Sequence, residues 1–228
     1  MLKKYNPPTY NNISFHEISD INIVFRGGTG GNFFHYFIST YLLNHEFRGN
    51  YDSLTNEYYD SVNNELIGHS HINMWFRGPG FSTYGSERYT ASRYKERLRT
   101  FKNKKLIIIQ NTNNYVFTEN LAVLKHIVRF NLPDLIHAIS FNYKHPKHLK
   151  YDKHHRFLSW IARKNNIKVL DIEYHKIVHY DTENQLKKMC NFLEVDYDPN
   201  YKNIIESYHR ENLRFIQESG YNFELISS

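Results

Sequence analysis

A glycine run between a short apolar segment and a helical pattern limits most strongly how this chain can fold. Residues 21–25 read INIVF, a short β-branched run that is typical of a buried strand. Four of the five residues 27–31 are glycine. Apolar residues then recur at helical spacing, which predicts a helix over about residues 32–45. A strand, a glycine-rich loop and a helix in this order are typical of the first unit of an α/β domain.

The rest of the chain continues this alternation of strands and helices. The polar stretch 46–64 is predicted to be loop, and Thr182-x-x-Gln185 is a capping-box pattern that predicts the start of a helix. The order of elements predicts a three-layer α/β fold in one domain, residues 1–228, with residues 1–19 as an extended lead-in. Its sheet is expected to be mostly parallel with helices on both faces. We predict further strands at 65–71, 105–110 and 167–172, and helices at 91–100, 115–129, 151–164, 182–193 and 200–219.

Charge and cysteine content narrow the classes of function. The formal net charge is +6, which favours anionic partners, but the basic residues are scattered and can simply form a solvated surface. No motif of a specific nucleic-acid reader is present. Cys190 is the single cysteine, which excludes an intramolecular disulfide and a cysteine-rich zinc site. Without an apolar leader or a membrane-length apolar run, the sequence predicts a soluble, cytoplasmic protein.

The glycine run has the composition of an anion-binding loop. Glycines let several backbone N–H groups point inward, and the following helix adds the positive end of its dipole. Phe33 stands where the third glycine of G-x-G-x-x-G would be, and no Gly-Lys-Ser/Thr closes the loop as in a Walker A motif. A purely structural tight turn is the alternative. The predicted ligand residues are Arg26, Gly27, Gly28, Thr29, Gly30, Gly31 and Asn32.

The segment Arg26–Thr29 resembles the Lys-Ser-Gly-Thr core of the 5′-phosphosulfate loop in the sulfotransferase family, in its divergent microbial form. This resemblance implies a P-loop NTPase-like sulfotransferase architecture. It also implies 3′-phosphoadenosine-5′-phosphosulfate (PAPS) as the donor, 3′-phosphoadenosine-5′-phosphate (PAP) as the product, and no metal. Arg26 keeps the positive charge of the family's lysine, but as a planar fork rather than a point donor.

Three later segments extend the resemblance. Gln110 and Asn111 follow a strand where the family has Arg-Asn, and Thr118 lies eight residues after Gln110, where the family has Ser. These positions imply contact with the 3′-phosphate through Gln110 and Thr118, although Gln110 lacks the positive charge. Tyr174 stands in the place of the tyrosine of the family's Tyr-Glu-Asp-Leu segment. Residues 208–213 resemble the family's closing helix, so Arg210 is expected to reach the 3′-phosphate or to form a surface salt bridge.

Two histidines after the second strand are the candidates for a catalytic base. The family uses a His or a Glu to deprotonate the acceptor, and here His69 and His71 end that strand. Imidazole titrates near neutrality and suits this role; we favour His71 over His69. Ordinary polar positions are the alternative, as is an H-x-H zinc pair, for which the spacing indicates no third ligand. His35, on the helix after the glycine loop, is expected to serve packing or capping.

The resulting hypothesis is a sulfotransferase that moves a sulfuryl group from PAPS to a hydroxyl. The catalytic set is His71, His69 and Arg26, and the acceptor is a carbohydrate, a small metabolite or a protein. A small-molecule kinase using ATP and a non-catalytic, anion-binding relative are the alternatives. The sequence indicates no oligomeric state.

Overall fold

The computed structural model describes residues 19–25, 30–71, 104–110, 115–131 and 149–220. The strands and helices predicted within these ranges are confirmed, with ends that differ by at most three residues; the predicted helix 91–100 and the lead-in before residue 19 lie outside them. The elements are β1 (Ile21–Phe25), α1 (Gly31–Phe37) with a π-helical continuation (Ile38–Leu42), β2 (Asn50–Asp52), β3 (Glu57–Tyr59), β4 (Ile67–His71), β5 (Lys105–Gln110), α2 (Tyr115–Phe130), α3 (Leu149–Lys164), β6 (Lys168–Glu173), a π-helical turn (Lys176–Tyr180), α4 (Thr182–Leu193) and α5 (Asn200–Glu218).

Four parallel strands form the main sheet, in the order β4-β1-β5-β6. After β1 the chain places β4 on one side and then β5 on the other, so the direction of winding reverses beside β1. In open α/β sheets, ligands bind outside the carboxyl ends of the strands at such a switch point. The loop that follows Phe25 therefore starts at the edge of the sheet where a ligand is expected.

Helices cover both faces of the sheet, which confirms the predicted α/β layering. Alternate strand residues point to opposite faces. Ile23 and Ile107 belong to a buried apolar cluster with residues of α1, α4 and α5. Val24 and Ile108 pack on the other face against Leu158 and its neighbours on α3. Fully burying a side chain of this kind contributes roughly 1.5–3 kcal/mol, so these two clusters hold the sheet between its helices.

The prediction of loop throughout residues 46–64 was wrong, because this stretch contains the antiparallel hairpin β2–β3. Its strands are three residues each, too short to give an alternating pattern. Asp52 stabilises the turn, accepting hydrogen bonds from the Leu54 N–H at 3.0 Å and the Thr55 hydroxyl at 2.8 Å. Tyr58 packs its ring against Tyr36 of α1, with centroids 4.4 Å apart. Tertiary packing, rather than local pattern, therefore forms this hairpin.

The capping box predicted for α4 is also different in detail. Thr182 is the first helical residue, and Asp181 is the N-cap. The Asp181 carboxylate accepts hydrogen bonds from the side chains of Asn184 at 2.6 Å and Gln185 at 2.7 Å. Gln185 thus reaches back to a carboxylate instead of a backbone N–H, because the cap lies one residue earlier than predicted.

Among the described helices, none is both long enough and apolar enough to cross a membrane.

Candidate functional site

Gly30 and Gly31, at the described end of the glycine loop, each need the absence of a side chain, but for different physical reasons. Gly30 caps α1 in the left-handed region, with φ at +65°, and its carbonyl accepts a hydrogen bond from the Phe34 N–H at 2.9 Å. A Cβ on Gly31 would lie 2.1 Å from Cγ of Phe25. The absence of a side chain at Gly31 therefore lets α1 pack directly on the last residue of β1. Arg26, Gly27, Gly28 and Thr29, all predicted ligand residues, lie outside the described residues.

Two tyrosines from distant parts of the chain meet at this loop. A Cβ on Gly30 would lie 3.1 Å from Oη of Tyr208 and 3.4 Å from Cε2 of Tyr174. The Tyr208 ring stacks on Phe33, with centroids 3.6 Å apart and an interplanar angle of 2°. Burial raises the pKa of both phenols well above the usual value, so both hydroxyls keep their protons. The two C-terminal segments that carry the family resemblance thus come together at the end of the glycine loop.

His69 lies on the face of the sheet that α1, α4 and α5 cover, where it stacks on Phe25. Ser61 connects His69 to Asn32. The Ser61 hydroxyl donates a hydrogen bond to Oδ1 of Asn32 at 2.9 Å and lies 3.3 Å from Nε2 of His69. The His69 ring stacks on Phe25 with centroids 5.6 Å apart. Asn63 accepts a hydrogen bond from the His69 backbone N–H at 2.9 Å, which fixes this part of β4. The structure therefore brings a predicted base and a predicted ligand residue together, through a serine that the sequence analysis had assigned to a loop.

His71 and His35 are the other two histidines of this region. His71 ends β4 and pairs in register with Phe25, but its side chain lies outside the described part, so the preference for it stays a prediction. His35 is almost fully buried on α1, with its ring 4.9 Å from that of His69. Desolvation lowers the pKa of His35 to about 4. His35 is therefore a neutral packing residue at physiological pH, which confirms the prediction of a packing role.

Gln110 lies on the opposite face from His69 and faces α3. Its amide Nε2 donates a hydrogen bond to Oδ1 of Asp171 at 2.7 Å, and Oδ2 of Asp171 accepts bonds from Ser159 at 2.7 Å and Arg163 at 2.5 Å. Gln110 therefore belongs to a polar network between β5, β6 and α3. The network adjoins a cleft of about 570 Å³ lined by Gln110, Arg156, Ser159, Trp160, Arg163, Lys164, Asp171 and Glu173.

The remaining predicted 3′-phosphate residues are not brought to this network by the described contacts. Thr118 lies in the first turns of α2, and its side chain is outside the described part. Arg210 is exposed on α5. Among the described residues it forms no ion pair, so the surface salt bridge considered for it is not observed there.

A buried lysine near Tyr208 was missed by the sequence analysis. The Lys125 ammonium donates hydrogen bonds to the Asn56 carbonyl at 2.8 Å and to Oδ1 of Asn212 at 2.6 Å. It lies 5.7 Å from the Tyr208 ring centroid. Desolvation lowers the pKa of Lys125 to about 8. Lys125 therefore links the β2–β3 hairpin to α2 and α5, directly behind the tyrosine that contacts the glycine loop.

Comparison of the chain with protein-family models, with curated proteins and with solved structures gives no match. The resemblance to sulfotransferases therefore depends on the sequence motifs alone. Within the described ranges, no three His, Cys, Asp or Glu side chains are arranged to hold a metal ion.

Proposed function

We propose that this chain binds the 5′-phosphosulfate of PAPS on its glycine loop and transfers the sulfuryl group to an acceptor hydroxyl. The supporting observation is the position of the two elements that flank the loop. β1, before it, ends at the switch point of a parallel sheet, and α1, after it, has the backbone N–H groups and the helix dipole that favour an anion. The Tyr174 and Tyr208 segments, matched separately to the same family, both reach Gly30.

The proposed reaction is an in-line displacement at sulfur. A new S–O bond forms to the acceptor oxygen while the bond from sulfur to the 5′-phosphate oxygen breaks, and PAP leaves with the electron pair. A histidine at the end of β4 takes the acceptor proton; His69 and His71 are the candidates. Arg26, Thr29 and the loop N–H groups stabilise the charge that develops on the leaving phosphate. Asn32 and Ser61 position His69 through the hydrogen bond between them and the serine's contact with the imidazole.

One observation favours a second candidate, an anion-binding relative without transferase activity. Gln110 stands where the resemblance expects an arginine, and its amide is bonded to Asp171. A neutral amide held by a carboxylate contributes little to binding a 3′-phosphate. A loss of 3′-phosphate recognition would leave the glycine loop as a general anion site.

Ligand-dependent thermal unfolding separates these functions. We expect PAP to raise the unfolding midpoint in a concentration-dependent way and Mg-ATP to raise it less, because a ligand stabilises the state that it binds. Sulfuryl transfer from labelled PAPS is then measured with saccharide, small-metabolite and tyrosine-peptide acceptors. A PAP shift without transfer to any acceptor would support the anion-binding relative. The absence of both a shift and calorimetric heat with PAP would contradict the proposal, and a larger response to Mg-ATP would favour the kinase.

Single substitutions test the role of Arg26 in the glycine loop and the role of His69 as the catalytic base. Arg26→Ala should abolish transfer, whereas Arg48→Ala, which removes an exposed arginine, should leave it unchanged. If His69 is the base, His69→Gln should reduce transfer about 100-fold or more and retain the PAP-induced shift. His45→Gln is the matched control, because His45 is an exposed histidine after α1. Full activity in His69→Gln would exclude His69 and leave His71 as the candidate base, which His71→Gln then tests.

A further inference from the structure

We propose that the cleft between β5, β6 and α3 is a second binding site, which takes a small molecule with a planar ring and an anionic substituent. It lies on the opposite face of the sheet from His69. Of the residues that the family resemblance assigns to donor binding, it shares only Gln110. Its volume of about 570 Å³ falls within the range of small-molecule sites, about 300–1,000 Å³.

Arg163 is held in position for an anion. Its Nη1 donates a hydrogen bond to the Ser159 hydroxyl at 2.7 Å, and its Nη2 donates to Oδ2 of Asp171 at 2.5 Å. Asp171 is itself fixed by Ser159 and Gln110. A guanidinium has five N–H donors, so these two bonds leave others for a ligand. Because its side chain is already oriented and 54% exposed, Arg163 loses less conformational entropy when it binds an anion.

Trp160 supplies a surface for a ring. This tryptophan is 50% exposed at the cleft, although an indole can bury a large apolar area. Phe157 lies beside it, with ring centroids 5.8 Å apart. The Lys164 ammonium lies over the Trp160 ring, 4.1 Å from its centroid, so one face of the indole already holds a positive charge and a ligand ring would take the other face or displace the ammonium. A ring stacked on Trp160 would have its anionic substituent near Lys164 or Arg163.

The charges of the cleft favour an anion over a cation. Among the described residues that line it, the cationic side chains are Arg156, Arg163 and Lys164, and the carboxylates are Asp171 and Glu173. Asp171 is bonded to Arg163, and Glu173 is bonded to Lys176 at 2.6 Å. Because both carboxylates are paired with cations, their repulsion of an incoming anion is reduced.

Fluorescence of Trp160 tests this site directly. The chain has two tryptophans, so Trp75→Phe leaves Trp160 as the only indole reporter. The probes are phenyl phosphate, which has both a ring and an anion, inorganic phosphate, which has no ring, and phenol, which is uncharged. We expect a saturable change with phenyl phosphate and affinities about tenfold or more weaker for the other two. Benzoate and phenyl sulfate then show which anionic group the cleft prefers.

Matched variants keep the test specific to the cleft. Arg163→Gln and Trp160→Ala should each weaken phenyl phosphate binding about tenfold or more, measured by equilibrium dialysis with the otherwise unmodified chain. Arg214→Gln removes a similarly exposed, ion-paired arginine on α5, and Tyr180→Ala removes a similarly exposed aromatic ring; both should bind as before. Unchanged affinity in Arg163→Gln, equal affinity for inorganic phosphate, or no saturable binding would overturn the proposal.

The site and the proposed transferase can fail separately. Arg26→Ala should abolish sulfuryl transfer from PAPS and leave phenyl phosphate binding intact. Loss of phenyl phosphate binding in Arg26→Ala would place that ligand on the glycine loop and would contradict a second site.

Discussion

The two faces of the main sheet differ in how far the polar side chains beside them are buried. The face packed by α1, α4 and α5 is closed by a large aromatic and aliphatic cluster, and the aromatic Phe33 and Tyr208 at its edge adjoin the buried Lys125. The face packed by α3 has a smaller apolar cluster, and beside it Asp171 and Arg163 meet in an open cleft. The buried Lys125 beside the closed face therefore affects folding, whereas Arg163 on the open face remains available to a ligand. Three substitutions test this difference, in order of decreasing expected effect on stability.

The largest loss of stability is expected for Gly31→Ala on the closed face. The new Cβ would lie 2.1 Å from Cγ of Phe25, so the helix or the ring must move. We expect the free energy of unfolding, measured by urea denaturation, to fall by about 3 kcal/mol, because overpacking of this kind exceeds the gain in helix propensity.

A double variant and a second glycine check the cause. In a Phe25→Ala background, Gly31→Ala should cost much less, since the clash is removed. Gly220→Ala has a positive φ of +70° but no atom within 4 Å, so it should show only the left-handed strain of about 1 kcal/mol. A loss no greater than that of Gly220→Ala would mean that α1 and β1 separate easily.

An intermediate effect is expected from the buried cation Lys125, as a dependence of stability on pH. Its folded pKa of about 8 is below the ordinary value of 10.5, so between these values the unfolded chain binds more protons than the folded chain. Stability from this group must therefore rise with pH, at about 1.4 kcal/mol per unit, or about 2 kcal/mol between pH 8 and pH 9.5. Lys125→Met should lack this rise in urea unfolding measured at both pH values.

The matched control is an exposed lysine on α4. Lys187→Met should show the same rise with pH as the unsubstituted chain, because Lys187 is half exposed. If Lys125→Met showed the same rise in the free energy of unfolding with pH, the Lys125 ammonium would be well solvated in the folded state.

The smallest change in stability is expected for Arg163→Gln on the open face. Its ion pair with Asp171 is partly exposed, and Asp171 keeps its bonds to Gln110 and Ser159. We expect the free energy of unfolding to fall by less than about 1 kcal/mol, while the binding of phenyl phosphate weakens about tenfold or more, as described above. A loss above about 2 kcal/mol would make the network a structural element of the fold rather than a ligand site.

Much of the fold could be predicted from local pattern. Residues 105–110 form a strand because a run of β-branched residues is bounded by lysines and asparagines, and the structure confirms both ends. The β2–β3 hairpin could not be predicted, because Tyr58 is held by aromatic contacts with α1 that no local window contains.

The site was predictable only where neighbouring strands determine it. His69 and Phe25 come together because β4 and β1 are parallel neighbours, and Asn32 lies in the first turn of α1, the next element after β1. Ser61 lies between β3 and β4, so its position beside Asn32 and His69 depends on the hairpin, which could not be predicted. Lys125 could not be recognised because a lysine on an amphipathic helix is normally exposed. Its burial depends on Asn56 and Asn212, which come from two distant parts of the chain.

The contact between Phe25 and Gly31 also limits how such a sequence can diverge. The same phenyl ring stacks on His69 and also lies against the start of α1. A descendant with a larger residue at position 31 would need a smaller one at position 25, and His69 would then lose the ring against which it stacks. The two positions should therefore change together among homologues, and a lineage in which both have changed should also have replaced His69.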